Sequence, residues 1–313
     1  MKQHITKIIA AICICTAMTG CKPDMDINNP AEASTDNYYK KKSELENALI
    51  PAYQALIGRK QGGYCFTTLF TLLAPGDDFR RTYKWAAMYQ DTYNTPASDE
   101  AAKGPWQDWF NGIMAANLAI DKINQFNDKS VSAEELNTML GQALFLRGLF
   151  YLNLASIYGE TIPLYDHAIA TRDDYYPGNA EKGAVYAQIV ADFTKAAELL
   201  PVRSKFYSKA DNIGRATQGS ALGFLAKAYL WRPIIEKGRE AEYDKARPVL
   251  KRIIDSGEYE LNANFRDNFT NDPKKENGKE SIFEVQMHNG NSWMGGDLSD
   301  SWRWINIGLP DGT

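Results

Sequence analysis

The chain has few thiols and fewer imidazoles: four Cys and three His in 313 residues. Cys13, Cys15 and Cys21 crowd into the N-terminal segment, which leaves Cys65 alone in the remainder. One thiol cannot form an intrachain disulfide, so a packed core must hold the fold together, and Cys65 reads as a small core residue. Beyond the first twenty residues the histidines are His167 and His288, far apart in sequence, and His167 beside Asp166 reads as a surface residue. There is no His-Glu-x-x-His, Cys-x-x-Cys, Gly-x-Ser-x-Gly or Gly-x-x-x-x-Gly-Lys. The adjacent acids Asp77-Asp78 and Asp173-Asp174 read as solvated turn residues rather than a glycosidase pair. No catalytic residue, metal site or cofactor is expected.

Basic charge is also in short supply. Lys and Arg number 35 against 39 Asp and Glu, a net −4. Removing the first twenty residues, which carry Lys2 and Lys7 and no acid, leaves 33 against 39, or −6. That balance lacks the field that phosphate binding needs, so nucleic acid is excluded as a partner. Long apolar runs are missing too. Ile8 to Met18 is too short to cross ~30 Å of hydrocarbon at ~1.5 Å per residue, and Arg147 interrupts the next candidate, Leu144 to Tyr158.

The N-terminal segment is a targeting signal, with Lys2 and Lys7 ahead of the apolar run. Met18-Thr19-Gly20-Cys21 resembles a bacterial lipobox, with Met in place of the usual first Leu, which makes Cys21 the lipidation site. An ordinary signal peptide with an incidental Cys21 is the plainer alternative. Residues 1–20 are thus a lipoprotein signal peptide. Residues 21–33, polar and proline-bearing, form a tether.

From Ser34 the apolar period is helical. Leu45, Leu49, Tyr53 and Leu56 mark a first helix that Pro51 should kink or restart. Trp106, Phe110, Asn117, Ile120 and Ile123 mark a second. Ser132-Ala-Glu-Glu135 is a capping box opening a third, which Gly159 stops. Further helices are expected from Lys182 to Leu200, from Thr217 to Trp231, and from Tyr243 to Ser256, the last with Pro248 awkwardly inside. On the third helix Arg147 shares a stripe with Leu144 and Tyr151, so a carboxylate partner or a helix-end carbonyl acceptor is expected for it. Residues 281 to 287 alternate as a half-buried strand. Gln142-Ala-Leu-Phe-Leu-Arg-Gly-Leu-Phe-Tyr-Leu and Ser220-Ala-Leu-Gly-Phe-Leu-Ala-Lys-Ala-Tyr-Leu are weakly alike, which suggests a tetratricopeptide-like array; ordinary helix packing with alanine at the contacts accounts for the same pattern.

What the sequence has in plenty is aromatic residues: 7 Trp, 17 Tyr and 13 Phe. Trp106, Trp109 and Trp231 lie on helical patterns and belong to the core. Trp85 lies between helices, and Trp293, Trp302 and Trp304 lie in a late loop rich in Gly, Asn and Asp. A flat ring face beside hydrogen-bonding groups is what a pyranose needs, although packing accounts for these four equally well.

Several segments taken in order resemble the SusD/RagB family. They are the lipobox, Ala143-Leu-Phe-Leu-Arg147-Gly-Leu-Phe-Tyr-Leu, Tyr158-Gly-Glu-Thr-Ile-Pro-Leu164, Val185-Tyr-Ala-Gln-Ile-Val-Ala-Asp192, Gly214-Arg-Ala-Thr217 with the helix after it, and Glu280-Ser-Ile-Phe-Glu-Val-Gln286. The resemblance implies a mainly α fold, a tetratricopeptide-like helical-repeat array over 34–260 with an inserted loop near 74–98. Residues 261–313 would then be a small irregular, strand-containing part of the ligand-binding region, expected to be incomplete because family chains continue well past Phe283. It implies a non-catalytic outer-membrane lipoprotein, lipid-anchored and facing the cell exterior. Such a protein passes oligosaccharide, or peptide, to a TonB-dependent (SusC-like) transporter. Trp85 matches the family's early ligand-loop aromatic, and Trp293, Trp302 and Trp304 fall where it places late ones. The alternative is a helical-repeat scaffold lipoprotein that binds protein and no glycan.

Overall fold

Helices with one apolar stripe must bury it against a neighbour, and here the neighbour is nearly always the next helix in the chain. The computed structural model describes residues 38–57, 71, 75–76, 93–270, 272 and 274–286. Among these residues the long helices are α1 (Lys42–Ile57), α2 (Glu100–Gln125), α3 (Ala133–Tyr158), α4 (Ala184–Leu199), α5 (Gln218–Ile235) and α6 (Glu242–Asp255). Each packs mainly on its neighbours in sequence, while α1 also reaches α3 and α3 touches α5. This is the contact pattern of a stacked helical-repeat array.

The array is built around α3. Its N-terminus is fixed as the capping box requires: the Ser132 hydroxyl accepts from Glu135 N, and the Glu135 carboxylate accepts from Ser132 N at 3.0 Å. From Gly141 to Leu152 it is buried on every side. By length and composition α3 is apolar enough to cross a membrane, but most of it is buried among the other helices. Phe145 sits at the centre of an aromatic cluster with Phe193, Phe224 and Phe283, at ring separations of 5.9, 5.5 and 5.0 Å. Fully burying each such ring is worth about 1.5–3 kcal/mol. Trp109 stacks on Phe150 at 5.5 Å, which joins α2 to the same core. Gly148 lets α4 approach closely, since a Cβ there would lie 3.2 Å from both Asp192 Cβ and the Phe193 ring.

The prolines and the C-terminal strand depart from expectation. α1 runs unbroken through Pro51 and α6 through Pro248. Both prolines lie on exposed faces, with Asn47 and Asp244 one turn earlier exposed as well, so water can reach the carbonyls that lose an N–H partner. α5 continues past Trp231 and through Pro233 to Ile235. Its last turn is held by Arg232, which pairs with Glu160 and Glu236 and lies 4.2 Å from the Tyr186 ring centroid.

Residues 281–286 are not a strand; Met287, the last residue of that expectation, lies outside the described residues. No described edge pairs with the segment, and side chains hold it instead: Ser220 Oγ donates to Ile282 O at 3.0 Å. Ile282, Phe283 and Val285 all pack on the core, so the alternation marks a segment lying on helices rather than one in a sheet.

Candidate functional site

Arg147 is the most informative residue of α3. A guanidinium at that depth is costly unless paired, and it is fully paired. Its Nε and Nη2 donate to the two oxygens of Asp192 on α4 at 2.9 and 2.7 Å. Its Nη1 donates to Asn117 Oδ1 on α2 at 2.8 Å and to the Asp166 carbonyl at 2.7 Å. Burial pushes the Asp192 carboxyl up, while the guanidinium and Gln188 pull it back down.

This buried group fixes a surface loop. Asn117 Nδ2 donates to the carbonyls of Tyr165 and His167, each at 2.9 Å. Tyr151, whose pKa burial raises, donates its hydroxyl to Tyr165 O at 3.0 Å and accepts from Tyr165 N at 2.6 Å. Asp121 accepts from Ala168 N at 3.0 Å. Side chains of α2 and α3 therefore clamp the backbone of residues 165–168. An antiparallel bridge between Pro163 and Asn179 closes the base of the loop.

Further out, Asp174 accepts from Thr171 N at 2.7 Å and Ala170 N at 3.0 Å, and these backbone donors hold its carboxyl down at about 2. His167 Nδ1 lies 2.6 Å from Asp166, whose hydrogen bond raises the imidazole pKa, and its Nε2 lies 3.7 Å from Asp174. Tyr165 donates its hydroxyl to the Tyr175 carbonyl at 3.1 Å. Beneath the loop an aromatic ladder runs from Tyr158 to Trp106 (5.1 Å), to Phe110 (4.8 Å) and to Tyr165 (5.7 Å). On the outer side Tyr175 and Tyr176 stand 55% and 89% exposed.

A concavity of about 240 Å³ lies between α1, the turn at 211–215 and residues 284–286. Leu49, Leu56, Ile213 and Val285 make its apolar walls, with Arg215 and Glu284 at its polar side. It falls below the ~300 Å³ at which small-molecule sites usually begin. Gly214, at φ +82°, lets Gln286 close in on the turn.

The residues singled out for ligand contact (Trp85, Trp293, Trp302 and Trp304), the lipidation site Cys21 and the lone thiol Cys65 all lie outside the described residues. Of the tryptophans assigned to the core, Trp109 is fully buried, and Trp106 and Trp231 are half-buried against it. Arg147 has the carboxylate partner expected of it, Asp192, and adds the loop carbonyl of Asp166. Sequence reasoning missed the loop at 165–176. The signal available was the doublet Tyr175-Tyr176 set between Asp174 and Pro177, where no helical period explains two rings.

Fold and site together define a helical-repeat protein that presents a clamped, aromatic-bearing surface loop. The chain belongs to the SusD-like family: the family model described as "Starch-binding associating with outer membrane" matches residues 25–230. A SusD-like protein of Bacteroides ovatus is 27% identical over 198 residues, which cover 62% of this chain and 34% of that one. SusD-like protein P38 of Formosa agariphila is 24% identical over 261 residues, 82% of this chain and 47% of that one. The chain thus spans less than half the length of these curated relatives. Among solved structures, a laminarin-binding SusD-like protein superposes with a TM-score of 0.67 at 22% identity, covering 84% of this chain and 56% of that one. Surface glycan-binding protein A of Bacteroides uniformis does so with a TM-score of 0.66 at 22% identity, covering 78% and 52%. These likenesses establish a shared helical architecture.

Proposed function

We propose that the protein is a cell-surface lipoprotein that captures oligosaccharide and hands it to a partner TonB-dependent (SusC-like) transporter in the outer membrane. Membership of a family described as starch-binding and outer-membrane-associated carries this reading. Fold neighbours that are a laminarin-binding SusD-like protein and a surface glycan-binding protein support it. Trp85, Trp293, Trp302 and Trp304 are the proposed stacking residues, and Cys21 bears the lipid anchor. The protein needs no cofactor and performs no catalysis; its work is to hold sugar faces against rings and to exchange hydroxyl–water hydrogen bonds for hydroxyl–protein ones.

Intrinsic fluorescence during titration of the full chain with a polysaccharide panel tests the reading. A saturable change with at least one glycan is expected. A flat response to every glycan, with binding to peptide or protein instead, overturns it. In the native host Cys21→Ser is expected to release the protein from membranes, since acylation supplies about 0.8 kcal/mol per buried CH₂.

A further inference from the structure

We propose that Tyr175 and Tyr176 form a carbohydrate-stacking subsite, separate from the four tryptophans, that holds a pyranose face against the loop at 165–176. The proposal rests on the glycan-binding reading and adds to it a place on the molecule.

Both tyrosines lie in the open, at 55% and 89% exposure, with ring centroids 6.4 Å apart and planes inclined at 43°. One exposed ring is ordinary on a protein surface; two adjacent rings on a clamped backbone are less so. The Tyr175 carbonyl is held by the Tyr165 hydroxyl at 3.1 Å. Asp174, the preceding residue, ties the turn through Ala170 N and Thr171 N. Tyr165 is itself fixed at N and O by Tyr151 and Asn117, and Asn117 is fixed by Arg147. The backbone that carries the Tyr175 ring therefore traces back through continuous hydrogen bonds to the buried Arg147–Asp192 pair. Stacking gains affinity only where the faces are already in place, because ordering a side chain on binding costs free energy. Here folding already holds the backbone at Tyr175, which leaves the side-chain torsions of the two rings to be ordered on binding.

The surroundings favour sugar over protein. Arg172 and Asp173 are exposed just before the rings in the chain, and Asp166 and His167 are exposed on the same loop. These are the hydrogen-bonding groups that sugar hydroxyls take, and Asp166 and His167 are already paired with each other in a fixed geometry at 2.6 Å. A stable protein interface buries ~800 Å² on each partner around an apolar centre, which two rings in a charged setting do not supply. One or two rings are enough for a sugar.

The test is affinity electrophoresis of the full chain in gels containing each glycan of a panel that includes laminarin and starch, with calorimetry on those retained. Tyr175→Ala/Tyr176→Ala is expected to weaken binding at least about fivefold, from the worth of one to two ring stacks. Tyr175→Phe/Tyr176→Phe, which keeps both faces, is expected to stay within about twofold. Both variants should melt as the wild type does, since neither ring lies in the core. Wild-type binding with unchanged affinity in the alanine variant overturns the subsite alone. Equal losses in the alanine and phenylalanine variants overturn the stacking role. A wild type that binds no glycan overturns the subsite together with the glycan reading.

Discussion

Arg147 and Asp192 lie 45 positions apart and are 7% and 2% exposed. Removing one partner of such a pair leaves a buried charge without compensation, at a cost of about 3–5 kcal/mol, whereas replacing both with apolar groups can be neutral. Asp192→Asn is therefore expected to destabilise the fold by that amount in urea denaturation. An Arg147→Met/Asp192→Leu double variant is expected to recover a large part of the loss. A single-variant cost below about 1 kcal/mol would show that water replaces the carboxylate and that the clamp on residues 165–168 does not depend on the pair. Only half of this pair was legible in the sequence. An arginine on an apolar stripe announces that it needs a partner, because nothing else explains a charge there. Asp192 announces nothing, since an acid on an amphipathic helix is ordinarily a solvated one, and only the approach of α4 at Gly148 brings it inward. The Tyr175-Tyr176 doublet was legible in type but not in role, because loop backbone is fixed by long-range hydrogen bonds that leave no local period.

Elements were legible wherever local chemistry defines them. The capping box at Ser132, the glycine stop at 159 and the 3.6-residue period marked the helices, while side chains from distant segments decided the rest. The segment at 281–286 alternates like a strand, yet it lies on α5 and the Phe145 cluster because Ser220 and the apolar surface offer it more than any free sheet edge. The start of α3 carries a pH prediction. Glu135 accepts from Lys42 Nζ at 2.6 Å and from Ser132, and these partners hold its carboxyl at about 2, well below its ordinary 4.5. A depressed carboxylate contributes stability that is fully present above pH 4.5 and is lost as pH falls toward about 2. Glu135→Gln has no proton to take up over that window. Its stability is expected to fall less steeply than the wild type's between pH 4.5 and 2, with the difference shrinking in high salt because the Lys42 partner is solvent-exposed. Parallel curves for the two proteins in acid would show that Lys42 and Ser132 do not stabilise the ionised form.

Over the whole molecule, the order of packing is the order of the chain, and this distributes stability unevenly. In a stacked array each helix is held by its own propensity and by its interfaces with its neighbours. α3 is covered by α2 and α4 along its length and by α1 and α5 at its sides. Among the long helices α6 packs mainly on α5, with one hydrogen bond from Tyr186 of α4 to Glu242 at 3.3 Å; Ala246 and Ile253 are its buried residues, and Ile254, Tyr243 and Leu250 are left exposed. Opening α6 costs one interface; opening α3 costs the whole core. Hydrogen exchange is therefore expected to be slowest for amides between Gln142 and Ala155 and at least about tenfold faster across α6, with α4 and α5 between them. A hydrophobic substitution should follow the same gradient. Ile253→Ala is expected to speed exchange within α6 and leave α3 unchanged, whereas Phe145→Ala, at a cost of about 3–5 kcal/mol, is expected to speed exchange in every helix. If α6 exchanged as slowly as α3, or if Ile253→Ala lowered protection throughout, the array would unfold as one cooperative unit. The loop at 165–176, fixed from α2 and α3, would then share its stability with the far end of the molecule rather than with the helices that clamp it.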